Sequence, residues 1–407
     1  MGELPRLLLS APACSLDAGS EATVGARVAG SLAARYPTDV ITLAGGGVSN
    51  ARRVVTLDCH FDDLNDVSWT PLLRFERLQR KRLTSEFLKG YEVVHRVTPS
   101  GWKNTLLAPL PSQRVVVGPI LLSNPPPVSF DPIFRPQRFE RLYRRITPKR
   151  LLASIARRYL ERNDTNLLDR ADLIICGSTV TWSRLNQVQQ GRSVVITYAG
   201  VEHQSFVPPK GRQREKALRL LFAGRLVPYK GLELLLRAVG QLKRRISVKL
   251  SVVGGGNPET ERFLKDIAAS VGLSDEVEFV GKVARERLID FYQRSDIFCM
   301  PSVETYGLAI LEAMSCGCIP VVADFNGPGE IVESDFGIKV PLTDPESFIG
   351  EYADAIESLG NDPEFINRFR LRSREVAVTR HDWNAVLSPI RDAYERLLHC
   401  AKLQTSA

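Results

Sequence analysis

Residues 296–318 read Asp-Ile-Phe-Cys-Met-Pro-Ser-Val-Glu-Thr-Tyr-Gly-Leu-Ala-Ile-Leu-Glu-Ala-Met-Ser-Cys-Gly-Cys, and they restrict the fold more than any other stretch. Ile297 to Met300 is an unbroken apolar run, the pattern of a short strand covered on both faces and so of a parallel sheet. Pro301-Ser302 ends it. Thr305 predicts a cap for a helix starting near Tyr306 or Gly307, with Leu308, Ile310, Leu311 and Met314 along it and Gly317 closing it at C′. Glu304 then falls on the loop beyond the strand's carboxyl end, and Glu312 one to two turns along.

That order of parts has a chemical use. A helix start leaves N–H groups without intrahelical acceptors, here those of Tyr306, Gly307 and Leu308, at the positive end of the helix dipole. A diphosphate suits such a place. Ionised carboxylates only accept hydrogen bonds, so Glu304 and Glu312 suit hydroxyl-rich groups on either side of it. A nucleotide sugar offers both. For an isolated Glu pair, a solvated helix start with two surface glutamates is the commoner reading, and the neighbouring residues must decide.

Seven residues separate Glu304 from Glu312, and Ala313-Met314 and Gly317-Cys318-Ile319-Pro320-Val321-Val322-Ala323 follow. This resembles the E-x7-E signature of family 4 glycosyltransferases, retaining enzymes of the GT-B fold. Phe222-Ala-Gly-Arg225-Leu-Val-Pro-Tyr-Lys230-Gly231 resembles that family's donor-phosphate motif, and Val252-Val-Gly254-Gly-Gly and Val277-Glu-Phe-Val-Gly281 come in its order. The likeness is good over roughly residues 195–395 and looser before. It implies an α/β GT-B chain: two Rossmann-like domains facing each other across a cleft.

At 407 residues the chain suits two domains rather than one core. Its 44% hydrophobic and 25% charged residues are those of a globular protein, and no apolar run is long enough to span a bilayer. Leu7 to Cys14 is apolar enough to be weighed as a secretion signal; its core is too short, and a first buried strand is expected instead. Seven scattered cysteines argue against a disulfide framework and for a reducing, cytoplasmic compartment. Cys316 and Cys318 lack partners at metal-ligand spacing and are read as packing residues.

Positive charge is concentrated. Residues 135–162 hold ten Arg or Lys against Glu140 and Glu161, so this block alone carries a charge as large as the chain's +8. Phe139, Leu142, Tyr143 and Ile146, then Leu151, Leu152, Ile155 and Tyr159 after Pro148, recur at helical spacing within it. A second basic helix is expected at 74–89. Such helices suit peripheral contact with an anionic membrane face, or a solvated surface whose apolar side packs inward. No nucleic-acid-binding module is recognisable.

The first half opens with a strand at Arg6–Ser10, a loop through Gly19-Ser20-Glu21 and a helix over 22–35, a Rossmann-like start without a full G-x-G-x-x-G. Gly19-Ser20-Glu21 resembles the form this loop takes in one bacterial branch of the family, in place of its usual Gly pair. Further strands are predicted at 39–43, 54–57, 92–95, 114–118, 173–176 and 194–197, with helices between them in a mostly parallel sheet. Pro125-Pro126-Pro127 marks a long loop that is a candidate border of the acceptor site. His95, at the end of its strand, is a candidate for proton handling or a structural histidine. The family's usual histidine position, one strand later, holds Gly118-Pro119-Ile120. His60, Asp62 and Asp63 are read as a polar loop, since GT-B enzymes typically work without a metal.

Tyr198 to Pro209 resembles the inter-domain crossover. The expected division is 1–200 for the first, acceptor-side domain, 201–216 for the linker and 217–382 for the nucleotide-sugar domain; 383–407 forms a helix returning to the first. In the second domain, strands are predicted at 218–223, 248–253, 277–280, 297–300 and 319–323, with helices at 231–244 and 259–271. The resemblance implies transfer of a sugar from a nucleotide sugar to a glycan or lipid-linked acceptor, with retention and no metal or other cofactor. Arg225, Lys230, Glu304 and His95 are the catalytic candidates; Gly19, Ser20, Gly224, Gly254, Tyr306, Gly307, Leu308 and Glu312 are the donor-binding ones. Two readings remain beside it: a sugar-phosphate synthase or phosphorylase on the same fold, and a non-catalytic membrane- or polyanion-binding protein.

Overall fold

The computed structural model describes residues 4–16, 19–43, 48, 50–57, 75, 77–79, 81–98, 100, 112–134, 167–211 and 216–405. The basic block at 135–162 and the His60 cluster lie outside them, and the helix expected at 74–89 lies partly outside; its described part includes a short helix, Ser85–Leu88, capped by Thr84. The described residues form two compact units. Those up to Leu122, those of 167–199 and those from Trp383 onward make the first, and 123–134 with Gly200–Asp382 make the second.

The first unit is built on β1 (Leu7–Ser10), β2 (Thr38–Thr42), β3 (Arg53–Thr56), β4 (Val93–Arg96), β5 (Arg114–Ile120), β6 (Leu173–Cys176) and β7 (Ser193–Val195). They pair in the order β3-β2-β1-β4-β5-β6-β7, every pairing parallel. Runs such as Leu7-Leu8-Leu9 and Leu173-Ile174-Ile175 are buried because helices cover both faces of such a sheet. One of these helices, Gly19–Ala33, packs against the last, Trp383–Thr405. Arg391 donates to Ser31, Arg35 pairs with Glu395, and Arg27 lies over the Trp383 ring.

The second unit holds β8 (Leu218–Ala223), β9 (Val248–Val253), β10 (Val277–Gly281), β11 (Ile297–Met300), β12 (Ile319–Ala323) and β13 (Ile338–Val340). Their order is β10-β9-β8-β11-β12-β13, again all parallel. Helices Leu232–Leu242, Pro258–Ser270, Arg285–Arg294, Leu308–Ser315, Pro345–Asn361 and Pro363–Arg380 connect or cover these strands. Chain order reverses between β8 and β11, and loops leaving the carboxyl ends of two such strands diverge to leave a crevice. The loops carrying Arg225 and Glu304 leave there.

Two details differ from the sequence reading. The segment 123–134 goes with the second unit, not the first, because Phe130 and Phe134 enter its core and Phe130 meets Phe348 edge-on with ring centroids 5.9 Å apart. β13 was not predicted; its three residues are too few to show a period.

Candidate functional site

At the carboxyl ends of β8, β9 and β10 the backbone is stitched from loop to loop. Gly224 N–H donates to Val253 O at 2.9 Å, Leu226 N–H to Gly255 O at 2.9 Å and Gly254 N–H to Gly281 O at 2.9 Å. A Cβ at Gly254, where φ is +136°, would lie 1.8 Å from the Gly224 carbonyl oxygen, so only glycine permits this approach. After Arg225 the chain makes a short 3-10 turn, Pro228–Lys230, closed by Gly231 at φ +73°. A Cβ there would meet Pro301 O at 1.9 Å. Gly254 thus lets the loop after β9 close on the loop after β8, and Gly231 lets the Arg225–Lys230 loop close on the loop after β11.

The contact brings predicted residues together. Lys230 Nζ donates to Glu304 Oε2, an ion pair in which both side chains are largely buried. The other carboxylate oxygen of Glu304, Oε1, is buried and has no hydrogen-bond partner among the described residues. Tyr229 O accepts from Val303 N–H at 3.0 Å and from Ser302 Oγ at 3.3 Å, and Ser302 Oγ in turn accepts from Glu304 N–H at 3.1 Å. Arg225 is exposed, and its guanidinium donates to Tyr229 Oη at 2.7 Å. Ser302 and Tyr229 thus hold the two loops in register, roles that sequence reasoning did not assign.

The helix after Glu304 starts later than expected. It spans Leu308–Ser315 with Gly307 as N-cap and no side-chain cap, so Thr305 does not cap it. The reason is steric: Thr305 and Tyr306 lie against Gly327, where a Cβ would come within 2.4 Å of Thr305 O, which holds them in an extended loop. Ile310 N–H donates to Gly307 O at 2.9 Å, and the N–H groups before it, at the uncapped start, have no acceptor inside the helix. At the other end Gly317, at φ +80°, donates to Met314 O while Cys318 N–H donates to Ala313 O, the paired bonds of a Schellman close. Cys316 and Cys318 are wholly buried in the apolar core around it, as packing residues.

Glu312 is partly buried on that helix. Burial pushes its carboxyl up to about 7, and the Tyr292 hydroxyl, donating to Oε2 at 3.0 Å, works against this. Tyr292 carries no sequence signal, because its ring reads as one more apolar helix position.

His95 requires correction. It lies inside β4, is fully buried, and reaches no crevice. Its Nε2 is 2.7 Å from Gly118 O and its Nδ1 is 2.6 Å from Tyr394 Oη. A carbonyl cannot donate, so Nε2 carries the proton and Nδ1 accepts from the tyrosine. Burial holds the imidazole down at about 3. A ring locked in one tautomer with both nitrogens engaged is a structural histidine. Because its folded pKa lies below the unfolded one, the unfolded chain takes up the proton first, and stability falls as pH drops from about 6.5 towards 3. Replacing His95 by Asn is expected to remove about 2 kcal/mol of the first unit's stability loss between pH 7 and pH 5. Melting curves of both proteins across that range, taken as a difference, check this; parallel curves would contradict it.

Gly19 and Ser20 open the Gly19–Ala33 helix in the first unit, while the other donor-binding candidates belong to the second.

Residues 204–376 match a protein-family model described as "Glycosyl transferases group 1". Among curated proteins, the chain is similar to D-inositol 3-phosphate glycosyltransferase of Streptomyces bingchenggensis, 31% identical over 220 residues, which are 49% of this chain and 47% of that protein. It is also similar to D-inositol 3-phosphate glycosyltransferase 2 of Catenulispora acidiphila, 32% identical over 57% of this chain and 58% of the other. The chain thus spans about half the length of the curated relatives it matches. Among solved structures, sucrose-phosphate synthase from Thermosynechococcus elongatus superposes with a TM-score of 0.68 at 19% identity, over 97% of this chain and 100% of its own. Anabaena Alr3699/HepE in complex with UDP-glucose gives 0.64 at 18% identity, over 97% and 100%. The chain therefore has the GT-B fold, two Rossmann-like domains each on a parallel sheet, and over most of its second domain it matches the group 1 glycosyl transferases.

Proposed function

We propose that the chain is a glycosyltransferase that moves a sugar from a nucleotide sugar to a hydroxyl acceptor with retention of anomeric configuration. The observation that carries this is the Lys230–Glu304 pair beside an uncapped helix start, with one buried Glu304 oxygen left to accept a hydrogen bond. A sugar hydroxyl is the donor that such an oxygen lacks. Both the curated relatives' names and the matching family model support transfer of a sugar, and a structural neighbour was crystallised with UDP-glucose.

In this reading the diphosphate lies at the start of the Leu308–Ser315 helix, against the N–H groups of Gly307 and Leu308 and beside Tyr306. As the anomeric bond breaks, negative charge grows on the leaving oxygen. Arg225 spreads two N–H donors over phosphate oxygens, and Lys230 supplies a compact charge. Fixed groups that need not reorganise stabilise such charge most effectively. The narrow turns at Gly224 and Gly254 let the backbone approach the phosphates. Glu304 would hold sugar hydroxyls and Glu312 the ribose, its second oxygen being engaged by Tyr292. The cations in this proposal are side chains, not a metal ion or cofactor. Attack from the face that the diphosphate leaves would give retention.

The acceptor we take to be a glycan or lipid-linked intermediate at the cytoplasmic face of a membrane, approached through the basic block 135–162. No helix among the described residues is long and apolar enough to cross a membrane. Vesicle flotation should weaken when Arg144, Arg145, Lys149 and Arg150 are neutralised together; unchanged flotation would remove the membrane contact. The donor is tested by a melting screen against UDP-, GDP- and ADP-sugars. A ligand at a hundred times its Kd adds about 2.7 kcal/mol to the folded state, so one member should raise Tm by about 5 °C or more. No shift with any of them would remove the proposal.

A further inference from the structure

We infer that Asn326 is a positioning residue for the sugar-binding end of this site, acting through Val303 and the proline-rich segment; the inference rests on the donor-site reading above. Asn326 follows β12, is buried, and sits at φ +46°, a left-handed backbone that asparagine tolerates better than other residues with a Cβ. Its amide is used on both sides. Oδ1 accepts from Asn124 N–H at 2.9 Å, while Nδ2 donates to Asn124 O at 3.3 Å and to Val303 O at 3.3 Å. Val303 precedes Glu304, and the next residue, Gly327, presses on Thr305 and Tyr306. One turn of chain therefore holds the Glu304 loop from beneath.

The contacts close into a ring. From Asn124 the chain runs through Pro125-Pro126-Pro127 into a short helix, Asp131–Phe134, that packs against the Pro228–Lys230 turn, with Phe134 in the core. That turn holds Val303 through Tyr229 O, and Val303 returns to Asn326. Lys230 and Glu304 face each other from two loops clamped by this ring. Three prolines restrict the strap's own backbone, so the ring has little freedom to widen. Loss of the Asn326 amide opens it at one link, and Glu304 then shifts relative to Lys230 while the helix start beneath the diphosphate stays in place.

Asn326→Gly tests this, because glycine takes the left-handed backbone without strain and deletes only the amide. The probes are the nucleotide sugar with the largest shift in the screen above and its nucleoside diphosphate alone, titrated calorimetrically into wild type and variant. The variant should bind the nucleotide sugar at least about fivefold more weakly, hold the diphosphate within about twofold, and lose about tenfold or more in kcat. General loosening of the domain would weaken both ligands together, and that result overturns the inference. So does nucleotide-sugar binding equal to wild type. Should Asn326→Gly not fold, Asn326→Asp carries the same comparison, since it keeps an acceptor for Asn124 N–H and loses the donor to Val303. A wild-type protein that binds no nucleotide sugar overturns the donor-site reading itself and this inference with it.

Discussion

Replacing Lys230 by alanine is expected to lower kcat/KM about a hundredfold, which is about 2.7 kcal/mol of barrier. Lys230 has two tasks in the proposed reaction. It neutralises charge that appears on the leaving diphosphate, and in the resting site it holds Glu304 by an ion pair. Alanine removes the first and leaves the second partner as a largely buried carboxylate with no counter-charge, which is costly in itself. Glu304→Gln probes the same pair from the other side. It preserves shape and removes charge, and turnover is expected to fall at least about tenfold, or about 1.4 kcal/mol. The double variant should cost less than the two singles added, because each has already broken the shared contact. Steady-state kinetics on all three, with donor affinity measured separately, decide it. Wild-type turnover in both single variants would remove the donor-site assignment.

The second large effect is on stability. Arg374→Met is expected to destabilise the second unit by about 4 kcal/mol and lower its melting temperature by about 10 °C. Its Nη1 donates to Phe206 O at 2.6 Å, to Ser315 O at 2.5 Å and to Ser315 Oγ at 2.6 Å, and both terminal nitrogens reach His203 O at 3.3 Å. Ser315 ends the helix whose start faces the proposed diphosphate, so the guanidinium satisfies a carbonyl at that helix's negative end. Methionine fills the apolar length of arginine and donates nothing, leaving those carbonyls without their cation. Arg374→Lys should recover part of the loss, since an ammonium lacks the planar spread to serve three carbonyls. Calorimetry checks the pair; a shift below about 3 °C for the methionine variant would contradict the assignment.

Much of this architecture can be read from the chain alone. Apolar runs such as Ile297 to Met300 and Leu220 to Ala223 coincide with strands because a parallel strand is buried on both faces and tolerates few polar side chains. Arg225, Lys230 and Glu304 stand out because charge directly after such a run must sit at the sheet's carboxyl edge. What periodicity cannot give is the partner. Lys230 meets Glu304 across 74 residues, and Asn326 meets Asn124 across 202, distances over which no local pattern carries information. His95 shows the reverse error: a polar residue in a strand suggested chemistry, while Tyr394, 299 residues later, makes it a buried and satisfied group. Thr305 failed as a cap for a similar reason, since the contact with Gly327 overrides its local preference.

The helix Trp383–Thr405 has a consequence for synthesis. It supplies Tyr394, wholly buried, to the sheet that begins at Leu7. A ribosome delivers that tyrosine only after the whole second unit has emerged, so the nascent first unit must wait with the His95 ring lacking one of its two partners. The half of the molecule made first is therefore completed last.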